Sequence, residues 1–73
     1  MKEITCIITR KLGELSESAA GWRLELNEVS WNGAEPKLDI RRWKPDHKSG
    51  KGVTLTREEG RKLLEALKKE LEA

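Results

Sequence analysis

The 73-residue sequence has one cysteine, one histidine, two prolines, and neither tyrosine nor phenylalanine. A single cysteine, Cys6, excludes an internal disulfide, and Cys6 with His47 falls short of the ligand set of a structural zinc. There is no Cys/His neighbourhood and no glycine-rich phosphate loop, so the expectation is a non-enzymatic protein without metal or cofactor. No apolar run approaches the roughly 20 residues of a membrane-spanning helix. The chain opens at Met1 without a signal peptide, and with its free thiol this predicts a cytoplasmic protein. A single domain of this size buries only about 60% of its unfolded surface. Lacking disulfide and metal, it needs either a very tight core or a second subunit, and a homodimer is the simpler expectation.

What the chain does have is charge, on 38% of its residues, unevenly placed. Residues 1–36 carry four cations against six anions, a net of −2, and residues 57–73 balance five against five. Residues 37–51 carry Lys37, Arg41, Arg42, Lys44, Lys48 and Lys51 against Asp39 and Asp46, a net of +4. A basic excess confined to one short stretch is the usual footprint of a polyanion site.

The apolar pattern predicts an α+β fold of four antiparallel strands and one C-terminal helix, β-β-β-β-α. Residues 4–12 are rich in β-branched types and read as a first strand, and 16–21 as a loop. In residues 22–31, Trp22, Leu24 and Leu26 share one face, and the apolar parity then shifts to Val29 and Trp31. That shift predicts a β-bulge near Asn27–Glu28. Asn32-Gly33 is a hairpin signal. Residues 37–43 alternate, with Leu38 and Ile40 inward and Lys37, Asp39, Arg41 and Trp43 outward. After a loop at 45–50, residues 51–55 form a short fourth strand with Val53 and Leu55 inward. Thr56-Arg57-Glu58-Glu59 is a capping box, followed by Leu63, Leu64, Leu67 and Leu71 on one helical stripe. Gly60 weakens that helix by about 1 kcal/mol relative to Ala. Leu67→Ala is expected to cost about 2–5 kcal/mol as a buried leucine.

The outward face of the third strand carries the functional reading. Arginine and an aromatic on one flat surface suit a single-stranded nucleic acid. Its bases stack on rings for about 1–3 kcal/mol each while cations follow the phosphates. Lys44, Lys48 and Lys51 extend the phosphate track. Because Arg41 faces outward, Arg41→Ala is expected to weaken binding in an intact fold. Two readings stand for Trp43, base stacking or cover for a sheet edge or dimer contact, and two for Trp31, stacking or core. Trp22 reads as core, Cys6 as a small buried hydrophobe, His47 as a surface residue. A protein-interaction module using Trp43 and the leucine stripe, and an RNA binder using the same face, are the competing functions.

The runs GWRLELNEVSWN, AEPKLDIRRW, PDH and GKGVTLT, followed by a capped helix, resemble the bacterial YdbC-like branch of the positive-cofactor-four superfamily. The resemblance spans about Ser16 to Leu67. It implies a homodimer whose curved sheets hold single-stranded DNA with little sequence preference, in transcription, replication or repair. By position it implies backbone contact for Arg41, stacking for Trp43, an aromatic at the tip of the second strand for Trp31, and a site lysine at Lys51. Arg23 and Lys37 match more loosely as phosphate contacts. Glu28 stands where relatives tend to carry a basic residue, which implies a lower groove charge, and Gly60 where they often place a bulky aromatic.

Overall fold

The structure, a computed structural model, describes residues 5–72. Its elements are β1 (Cys6–Glu17), β2 (Arg23–Trp31), β3 (Lys37–Trp43), β4 (Ser49–Leu55) and α1 (Arg57–Leu71). The strands form one antiparallel sheet in the order β1-β2-β3-β4, a meander followed by the helix, as the apolar pattern predicts. No helix among the described residues is long and apolar enough to cross a membrane. Ile4, the expected start of the first strand, lies outside the described residues.

The turns follow local chemistry. Asn32 and Gly33 both take positive φ, and the Ala34 amide donates to the Trp31 carbonyl across them. Thr56 caps α1: its hydroxyl accepts from the Glu59 amide at 3.1 Å and the Glu59 carboxylate accepts from the Thr56 amide at 2.8 Å. Gly60 has a specific role, because a Cβ there would sit 2.7 Å from the Leu38 side chain. The missing side chain lets α1 approach β3, which offsets the lost helix propensity.

Two expectations are corrected in the sheet. β1 is not a nine-residue strand ending before Ser16 but continues to Glu17. The bulge expected in β2 is absent from its pairing with β3, which runs unbroken from Arg23↔Trp43 to Val29↔Lys37. The irregularities lie elsewhere: the register of β1 against β2 shifts between Ile8 and Arg10, Lys11 and Gly13, and Glu14 and Ser16, and that of β3 against β4 between Arg41 and Trp43. Each shift in β1 inserts one extra residue: Thr9, Leu12 and Leu15. The parity change within β2 has another cause. Leu24 and Leu26 face one side, Val29 and Trp31 the other, and both sides of this sheet are packed.

α1 covers the leucine face, seating Leu63, Leu64 and Leu67 beside Leu26, Leu38 and Ile40. That cover is partial: Leu64 is 57% exposed and Leu67 46% exposed, so Leu67 is not the fully buried residue expected from its spacing. The deepest burial is on the opposite face, read from the sequence as outward. Val29 is fully buried, and Glu25, Asn27, Asp39 and Trp43 are buried on the same face. No element among the described residues lies over this polar face, so its burial comes from the sheet curling around it. Bulges increase local twist and bend their strand, and three in succession in β1 supply that curl. It brings Cys6 alongside Trp43, Lys44, His47, Lys48 and Ser49, from the diagonally opposite corner of the sheet, around a cavity of about 420 Å³.

Candidate nucleic-acid interface

The centre of the polar face is a closed ring of four side chains from three strands. Alternation puts Trp31 of β2, Asp39 and Arg41 of β3 and Thr54 of β4 on the same side, with Asp39 and Thr54 register partners. The Trp31 Nε1–H donates to the Thr54 hydroxyl at 3.1 Å. That hydroxyl donates to Asp39 Oδ1 at 3.0 Å. Asp39 accepts from Arg41 through both oxygens, from Nε at 2.9 Å and Nη2 at 3.0 Å. The Arg41 guanidinium carbon lies 4.9 Å from the Trp31 ring centroid, closing the ring by a cation–π contact. Arg41 Nη1 also donates to the Gly50 carbonyl at 2.9 Å. β4 comes this close because of Gly52, register partner of Arg41, where a Cβ would collide with the Ile40 carbonyl and the Arg41 backbone.

The expected site residues are distributed unevenly around this ring. Trp31 and Arg41 meet in it. Trp43 is on the same face, but it is 6% exposed, not the open ring that the stacking reading needs. It sits between Arg23 and Ser49 where the sheet curls over, and its Nε1–H has no acceptor among the described residues. Arg23 is committed to neighbours: its Nε lies 3.3 Å from Glu25 and 4.0 Å from Glu14, and Nη2 donates to His47 Nδ1 at 3.4 Å. Lys44 and Lys48 line the cavity beside Trp43, and Lys44 Nζ also lies 6.0 Å from the centroid of the Trp22 ring. Trp22, expected in the core, is half-buried at the head of β2, against Gly50. Lys51 is exposed on β4. Lys37 sits at the far margin, by Glu35, Pro36 and Arg57 near the helix start.

Glu28 does not lower the charge of this face. It points to the leucine side, where Arg57 Nη2 donates to it at 2.6 Å, Arg10 Nη2 at 3.3 Å and the Thr9 hydroxyl at 2.9 Å. The Thr9 hydrogen bond, then those arginines, hold its carboxyl below the usual carboxylate range. Cys6 is half-buried rather than a core residue. Burial, and then the Asp39 carboxylate, push its thiol up against the opposing pull of Arg41, so it stays protonated near neutrality. Thr54, Glu25 and Asn27 were missed from the sequence. Thr54 was accessible by parity, as the residue between inward-facing Val53 and Leu55. Nothing in the sequence signals that Asn27 donates to Glu25 at 3.0 Å in a buried pair.

Residues 18–66 match the family model described as Transcriptional Coactivator p15 (PC4). This chain belongs to the PC4 family. The matched region runs from the turn before β2 into α1, and so contains every member of the Trp31–Thr54–Asp39–Arg41 ring. The chain is also 60% identical, over 53 residues, to an uncharacterized protein of Treponema pallidum (strain Nichols). That match covers 71% of this chain and 62% of the relative, so the chain spans less than two thirds of the relative's length. PC4 membership brings a nucleic-acid-binding fold and agrees with the meander-plus-helix architecture.

Proposed function

We propose that this protein binds single-stranded DNA with little sequence preference, as a non-enzymatic cytoplasmic homodimer of the YdbC-like branch of the PC4 family. The observation that carries the reading is the immobilised Trp31–Arg41 platform, with Lys44 and Lys48 around the cavity beside Trp43 and Lys51 exposed on β4 next to Gly52, the register partner of Arg41. A rigid aromatic and guanidinium surface takes unpaired bases of any identity, and lysines beside it follow the phosphates. Trp31 and Arg41 serve the bases. Lys44, Lys48 and Lys51 serve the backbone, Arg23 lies further along the polar face, Lys37 stands at its margin by the helix start, and Trp43 lines the cavity with Lys44 and Lys48. The partly open leucine face supports the dimer: Leu15, Leu64, Leu67 and Leu71 stay exposed in a single copy, and a second copy would bury them.

Tryptophan fluorescence tests the reading, during titration with an oligo-dT of about 20 nucleotides at two salt concentrations with a duplex control. The expected result is quenching by the single strand that weakens as salt rises, with a log–log slope of roughly −0.7 per contacted phosphate, and much poorer binding of duplex. Absence of binding at low salt rejects it. A matched RNA oligomer binding more tightly than DNA would move the assignment to RNA.

A further inference from the structure

Arginine in a nucleic-acid groove is ordinarily taken as a phosphate ligand, and the resemblance implies that role for Arg41. Two observations argue against it. First, the counter-charge is already present and inside the fold: the Asp39 side chain is fully buried, and both its oxygens are held by Arg41. Second, the Arg41 side chain is only 13% exposed, with Nη1 on the Gly50 carbonyl and the guanidinium carbon 4.9 Å from the Trp31 ring centroid. It has little freedom to swing toward a backbone. Lys44, Lys48 and Lys51, by contrast, make no ion pair among the described residues.

We infer that Arg41 works as an electrically neutral stacking plate, its charge cancelled by Asp39, and that Asp39 and Thr54 are positioning residues that hold the plate and Trp31 in register for bases. This rests on the single-strand reading and assigns its parts differently: bases to Trp31 and Arg41, phosphates to the lysines. A flat guanidinium stacks on a base much as an aromatic ring does. Phosphate neutralisation, and with it counterion release, requires net positive charge.

The salt dependence of binding separates the two roles. Fluorescence anisotropy of a labelled oligo-dT is measured between about 50 and 200 mM salt for wild type, Lys48→Ala, Asp39→Asn and the charge-balanced double variant Asp39→Asn/Arg41→Gln, with circular dichroism melts confirming that each is folded. Lys48→Ala should flatten the log–log slope by about 0.7. The double variant removes the plate without changing the charge of the pair, and should lower affinity several-fold or more with the slope unchanged. Asp39→Asn keeps the shape but uncovers the arginine charge, and should steepen the slope by about 0.7. Flattening by the double variant to the extent seen with Lys48→Ala, or an unchanged slope in Asp39→Asn, overturns the inference while leaving single-strand binding in place. If the double variant does not fold, the slope of Asp39→Asn decides alone. Absence of binding by wild type overturns both readings.

Discussion

The pairing of Arg41 with a buried carboxylate changes what truncation at position 41 does. The expectation from alternation was an outward arginine, removable in an intact fold. Removing one partner of a buried ion pair leaves the other uncompensated, at a cost of about 3–5 kcal/mol. Arg41→Ala should therefore lower the urea midpoint by an amount corresponding to that range. A loss below about 1 kcal/mol would mean that Asp39 recovers solvent when the arginine is gone. That Asp39, Arg41 and Trp43 share a face was legible in the sequence, because a strand alternates with period two. That the face is enclosed was not. Enclosure depends on how far the sheet bends, and alternation carries no information about bending, so it left Trp43 between an open stacking ring and a covering one, and the ring is buried.

At the scale of single elements the helix was the most legible part, since the capping residues are adjacent in sequence and act on their own backbone. Thr56→Ala should cost about 1 kcal/mol, the usual loss for an N-cap hydroxyl, read by thermal or chemical melting. The same box sets a pH dependence. The hydrogen bond from the Thr56 amide holds the Glu59 carboxyl below its ordinary value. Its stabilisation is therefore complete above the ordinary glutamate pKa of about 4.3 and is lost as pH falls through the lower, folded value. Glu28, held down by Thr9 and the two arginines, acts in the same direction. Melting temperature should fall on acidification below about pH 4, and by less in a Glu28→Gln variant, where one of the two groups no longer titrates. An equal fall in both proteins would remove Glu28 from the account. The strands were less legible than the helix. A bulge belongs to a pair of strands, and the parity change in β2 recorded two packed faces rather than an inserted residue.

For the whole molecule, the leucine stripe is the contact surface of the proposed dimer. Leu67 is nearly half exposed in one copy, so Leu67→Ala in an isolated chain should cost much less than the roughly 2–5 kcal/mol of a buried leucine. The full cost, together with a concentration-dependent midpoint, is expected when a second copy covers it. If the proposed dimer forms through this face, wild type should run at twice the monomer mass by size exclusion with light scattering, and Leu64→Asp with Leu67→Asp should run as a monomer. A monomeric mass for wild type would refute the dimer directly. The amphipathic spacing of these leucines was plain in the sequence, but what covers them was not, because one copy of the chain contains only half of such a contact.

The three extra residues of β1 have a further consequence for assembly. β1 is an edge strand, and a straight edge offers its free amides and carbonyls as a template for any passing strand. Thr9, Leu12 and Leu15 interrupt that row at every third position, so an incoming strand meets no stretch of regular ladder long enough to hold. On this side the sheet is protected against open-ended growth into fibrils. In the proposed dimer, self-association is left to the leucine face, where contact between two like surfaces would close on itself and stop.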